Sequence, residues 1–172
     1  MGDCLRKGWS RRGRSALVAA MILTTAVEGR AAPPPAAVPA TRPEDRVIFD
    51  AKATRKWMPA MAESELWTPA LADVLALEKN LPGYLREHHD PHENPGKGPL
   101  WKRAPAYKRQ YFGISRRGAR VIYANFFCRP FEQGQDWHHV PVQVNDGGDC
   151  YFSITYDVRQ GTFKDLVVNG EA

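Results

Sequence analysis

The chain has 172 residues, 43% of them apolar and 10% aromatic, which is enough to fill one core and too little for several domains. Its formal charge of +5 suggests a polyanionic partner, but residues 1–31 hold six basic side chains (Arg6, Lys7, Arg11, Arg12, Arg14, Arg30) against Asp3 and Glu28. The remaining 18 basic and 17 acidic residues leave +1, so long-range attraction to nucleic acid loses its basis for the rest of the chain.

The first segment has the layout of a signal peptide: a basic stretch to Arg14, the apolar run "ALVAAMILTTAV" over 16–27, and small residues at Gly29 and Ala31. Twelve apolar-leaning residues fall short of the roughly 20 that span a bilayer, so no stable membrane span is expected once the segment is removed. Ser10, Arg11 and Arg12 suit the twin-arginine export route, but Arg14 stands where that pattern takes a bulky apolar residue, and both routes stay open. Cys4 precedes the apolar run and leaves with it. The pair that remains, Cys128 and Cys150, reads as a disulfide in an exported chain, with two buried free thiols as the alternative.

Five prolines in "AAPPPAAVPATRPEDR", residues 31–46, and few large apolar side chains mark a tether. The expected organisation is a signal peptide over 1–31, a proline-rich flexible linker over 32–56 and one domain over 57–172, with order beginning near Val47 or at Trp57 and Met61. Thr68 and Pro69 then offer a cap and a first helical position. Leu71, Val74, Leu75 and Leu81 supply an apolar stripe, and Pro82 with Gly83 is a stop. Residues 86–105, with four prolines and two glycines, form a long surface loop.

From Tyr107 the period changes to two. Strands are expected over 110–114 and 119–128, joined by the turn "SRRG" with Gly118 at positive φ, and Val140, Val142 and Val144 continue the alternation. After a turn at 145–149, Cys150, Phe152, Ile154, Tyr156 and Val158 share one strand face, and Tyr151, Ser153, Thr155 and Asp157 share the other. A hairpin over "DVRQGT", with Gly161 as the bulge residue, returns the chain through 163–168. Gly147 and Gly148 provide the tight approach that a Cys128–Cys150 clamp needs. The fold class is therefore α+β: one main helix packed on a curved, four- to five-stranded antiparallel sheet.

The segments "YANFFC", "VNDGGDCYFSITYD" and "VNGEA" resemble a family of small exported bacterial proteins that share an aromatic strand, a Trp-containing loop, a DGG turn and an Asn-Gly terminus. The likeness covers about residues 107–172. It implies export and a compact sheet, and carries over no catalytic residue. The helix-then-sheet order is similar at fold level to cystatin-like and PepSY-like domains, several of which bind or inhibit other proteins.

Three candidate sites follow. His88, His89 and His92, with Asp90, offer Zn²⁺ or Cu²⁺ nitrogen and oxygen ligands, and a return of the loop toward His138 would close the set. Pro91 removes regular helical spacing, and solvated surface histidines are the plainer reading. Residues 97–120 hold eight basic side chains and no acid, whereas 132–171 hold seven acids against Arg159 and Lys164. That split suits docking on an anionic surface through Arg116 and Arg117 with Trp137 nearby, against a plain solvated face. Trp57, Trp101 and Trp137 either cap a core edge, the commoner case, or anchor a partner. Asp136, Asp146 and Asp149 near His138 and His139 could do acid–base work. They read more simply as turn formers, and they lack the alternating acids of a calcium loop. With no G-x-S-x-G and Cys150 committed to sulfur, the expectation is a non-catalytic periplasmic or secreted domain that binds a protein or envelope component. Metal binding through His88, His89 and His92 is the alternative.

Overall fold

The computed structural model describes residues 41–61, 65–88, 98–130 and 134–170. Elements run in the order β1 (Arg46–Phe49), α1 (Ala51–Trp57), β2 (Glu65–Trp67), α2 (Leu71–Glu87), α3 (Leu100–Arg103), β3 (Lys108–Arg116), β4 (Ala119–Phe127), β5 (Tyr151–Asp157) and β6 (Thr162–Val168). They build an α+β fold around one six-stranded sheet ordered β1-β3-β4-β5-β6, with β2 on the second half of β3.

Strands β3 to β6 form the expected antiparallel meander. Its first turn places Arg117 and Gly118 at φ 50° and 76°, the two positive values that a two-residue type I′ hairpin needs. The sheet is nevertheless mixed. β1 lies parallel to β3, pairing Arg46 with Arg109 and Phe49 with Phe112, while β2 pairs antiparallel with the end of β3. A parallel pair needs a long crossover, and the helical segment between β1 and β3 supplies it. This corrects two expectations: the sheet is not purely antiparallel, and residues 46–56, assigned to the linker, contain β1 and nearly all of α1.

Helix α2 also differs from its expected bounds. It starts at Leu71 and continues through Pro82 and Gly83 to Glu87. Pro82 forfeits its own hydrogen bond, but Leu81 and Leu85 on either side of the break are buried against the sheet and hold the helix together. The buried stripe is Val74, Leu77, Glu78, Leu81 and Leu85, so Leu71 and Leu75 face outward, 53% and 46% exposed. Thr68 does not cap α2. Its hydroxyl accepts a hydrogen bond from Ala51 N at the start of α1.

Alternation gives the sheet two faces. Tyr111, Ile122, Ala124, Phe126, Phe152, Ile154 and Tyr156 meet α2 in the main core. The opposite face carries Gln110, Phe112, Tyr123, Asn125, Tyr151 and Ser153, and Phe49 stacks on Phe112 there with ring centroids 4.8 Å apart. A second cluster on that side joins Phe127, Trp137, Val142, Cys150 and Tyr151.

Candidate functional site

The segment over the second sheet face is not a strand, although Val140, Val142 and Val144 alternate. Side-chain amides take the place of a neighbouring strand. Gln110 donates to the carbonyls of Trp137 (2.6 Å) and Val140 (2.9 Å) and accepts from Val142 N (2.8 Å). Asn125 donates to Val142 O (2.7 Å), and Asn169 donates to Val144 O (2.5 Å) and Asp146 O (3.1 Å). Buried backbone polar groups need partners, and here three amides provide them.

Between this segment and the sheet lies a cleft of about 230 Å³ lined by Met58, Phe112, Tyr123, Asn125, 141–145, Tyr151, Phe152, Ser153 and Asn169. Among the described residues, no Asp, Glu, His, Lys or Arg contributes to its wall. Tyr123 and Ser153 point to this face, and neither hydroxyl hydrogen-bonds to another described residue.

The disulfide sits at one end of this wall. Cys128 follows β4 and Cys150 precedes β5, one step beyond the Phe127–Tyr151 pair, with α-carbons 5.0 Å apart and Cys128 N donating to Cys150 O at 2.9 Å. Gly147 and Gly148 reach it at φ 91° and 57°. A β-carbon on Gly147 would lie 2.7 Å from the Tyr151 ring, so glycine is required there by backbone and by space. Neighbouring Asp149 is buried and ion-paired with Arg103, and Tyr107 donates to Asp149 O at 3.0 Å. Asp149 is thus a brace for the turn before β5.

The expected basic contact surface is not one surface. Trp137 is buried in the second cluster, edge-on to Phe127, and its carbonyl is held by Gln110. Arg116 and Arg117 lie six and seven residues beyond Gln110, at the far end of β3 and in the turn after it, about 20 Å from it at the rise of a strand. Arg116 pairs with Asp165 at 3.2 Å across two exposed side chains, and Arg120 stacks on the Trp67 ring, 3.9 Å from its centroid. Part of the segregation of charge along the sequence is folded away, because Arg103 meets Asp149 and Arg116 meets Asp165, while Lys108 pairs with Asp45 from outside the acidic segment.

Of the expected metal ligands, His89 and His92 lie outside the described residues. His88 caps α2, its Nδ1 donating to Tyr84 O at 3.0 Å while its ring stacks on Tyr84. His139 Nδ1 contacts Asp136 Oδ2 at 2.9 Å on the surface, and the His138 ring lies tilted against Trp137. Among the described residues no group of three or more His, Cys, Asp or Glu is placed to hold a metal ion.

One polar cluster escaped sequence reasoning. Glu78, inside the apolar stripe of α2, accepts from Arg46 Nε (2.7 Å) and Nη2 (2.5 Å), Tyr111 OH (2.8 Å) and Thr41 Oγ1 (2.9 Å), and lies 3.6 Å from Arg109 Nη1. Burial pushes the Glu78 carboxyl up, but the Arg46 hydrogen bonds, the Arg109 charge and the Tyr111 and Thr41 hydroxyls outweigh it and hold the group below its ordinary value. Burial, reinforced by the Glu78 charge, raises the Tyr111 hydroxyl well above the usual tyrosine range, which keeps it a donor. Arg109 is almost wholly buried, gives Nη2 to Pro105 O at 3.0 Å, and has no partner for Nε among the described residues. A carboxylate at the sheet-facing spacing of α2 was the available signal. The cluster bolts α2 to β1 and β3.

No family model, no curated protein and no solved structure matches the chain.

Proposed function

We propose that this chain is an exported, non-catalytic binding domain, periplasmic or secreted, that holds an envelope component in the neutral cleft between the sheet and residues 141–145. The observation that carries the reading is the composition of that wall among the described residues: aromatic and amide side chains, three hydroxyls (Tyr123, Tyr151 and Ser153) that hydrogen-bond to no other described residue, and no acid or base. A pocket of this kind has the groups for orientation and specificity but lacks a general acid–base pair or a metal-ligand set. Export is supported by the basic, apolar and small-residue order of 1–31 and by the Cys128–Cys150 bond, which persists in oxidising compartments. No helix among the described residues is long and apolar enough to cross a membrane.

The test is a hydrogen-exchange footprint of the full chain with and without soluble envelope extract. Protection over 141–145 and 151–153, lost in a Ser153→Tyr variant whose side chain fills the cleft, is the expected result. Protection centred on Arg116 and Arg117, unaffected by Ser153→Tyr, would move the site to the hairpin and end this reading.

A further inference from the structure

Resting on that reading, we infer that the cleft takes a neutral saccharide, bound one ring at a time. Charge decides the first step. A phosphate, carboxylate or ammonium group entering this space would shed water and meet no counter-charge from the described residues of the wall, a penalty that uncharged polar groups avoid. Hydrogen-bond type decides the second. Gln143 and Asn145 each carry a donor and an acceptor, the Tyr123 and Ser153 hydroxyls are both at once, and Asn125 and Asn169, whose N–H groups are given to Gln110, Val142, Val144 and Asp146, keep their side-chain oxygens as acceptors. The matching ligand presents both functions on each of several adjacent groups, as vicinal hydroxyls do. The Tyr123 ring and Met58 supply apolar surface for the C–H face of a sugar ring.

A peptide main chain is the other neutral ligand rich in donors and acceptors, and the fold disfavours it. Recognition of extended peptide backbone relies on an unpaired strand edge. The strands flooring this cleft are paired on both sides, β4 with β3 and β5, and β5 with β4 and β6. On the opposite wall, Val140 O, Val142 N, Val142 O and Val144 O are already bonded to the Gln110, Asn125 and Asn169 amides. The volume, about 230 Å³, lies below the usual range for drug-sized ligands and suits a single ring, with any further residues of a chain running out through the mouth.

The experiment is a titration of the ¹⁵N-labelled, oxidised full chain with four probes: maltotriose, chitotriose, an acetylated alanine tripeptide amide and inorganic phosphate. The expected result is saturable shifts of the Tyr123, Asn125, Ser153 and Asn169 resonances with at least one trisaccharide. Gln143→Ala, at an exposed position that leaves the core alone, should weaken that binding about tenfold, and Ser153→Tyr should abolish it. Shifts in the cleft with the tripeptide or phosphate alone overturn the saccharide assignment and leave the cleft as the site. Absence of saccharide shifts there also overturns it. Saccharide shifts confined to residues outside the cleft overturn the assignment and the proposed site together. Comparing the free trisaccharide with the same sugar held in an insoluble glycan, by co-sedimentation, separates a soluble ligand from an envelope polymer.

Discussion

Glu78 shows how a single side chain can decide the pH response of the domain. Its carboxyl is held below its ordinary value in the folded protein, so its stabilising contribution is complete above the unfolded value near 4.5 and is lost as pH falls through the lower, folded one. Chemical unfolding midpoints measured from pH 7 downward should therefore decline below about pH 4.5, and Glu78→Gln should make that decline shallower. The same substitution leaves Arg46 and Arg109 buried without their counter-charge, which at neutral pH costs about 3 to 5 kcal/mol. A variant as stable as the parent at pH 7 would show that the cluster is solvated and not a brace. The position was half legible: an acid at the inward spacing of α2 is visible in the sequence, but its partners come from Thr41, Arg46, Arg109 and Tyr111, and no local pattern brings those together.

At the scale of elements, the segment 137–145 owes its shape to side chains of other elements. Gln110 and Asn125, projecting from β3 and β4, satisfy backbone groups that a strand would have satisfied by pairing. Gln110→Leu removes three of these bonds and leaves buried groups unmet, at about 1–3 kcal/mol for each. Amide exchange over 137–145 should accelerate before global unfolding, while β4 and β5 stay protected. Uniform acceleration across the sheet would contradict this local role. Alternating valines predicted a strand here because period two reports only which side chains can be buried. It cannot report whether the partner is another backbone or an amide.

At the scale of the molecule, the sheet is closed by one covalent link at the head of β5. In the chain-entropy account, a 22-residue separation corresponds to about 3 kcal/mol of stabilisation. Reduction, or paired Cys128→Ser and Cys150→Ser changes, should lower the unfolding free energy by about that amount and leave the far-ultraviolet circular dichroism unchanged at low temperature. A change well under 1 kcal/mol would mean that the strand pairing already restricts the loop.

The antiparallel hairpins, their glycine turns, the two sulfurs and the apolar faces of β4 and β5 were written locally, because turn geometry and side-chain alternation act over a few residues. The parallel strand β1, the continuation of α2 through Pro82 and the cleft were decided by the tertiary structure alone. Each depends on groups far apart in the chain satisfying one another's hydrogen bonds or apolar surface, and that pairing free energy exists only once the sheet has assembled.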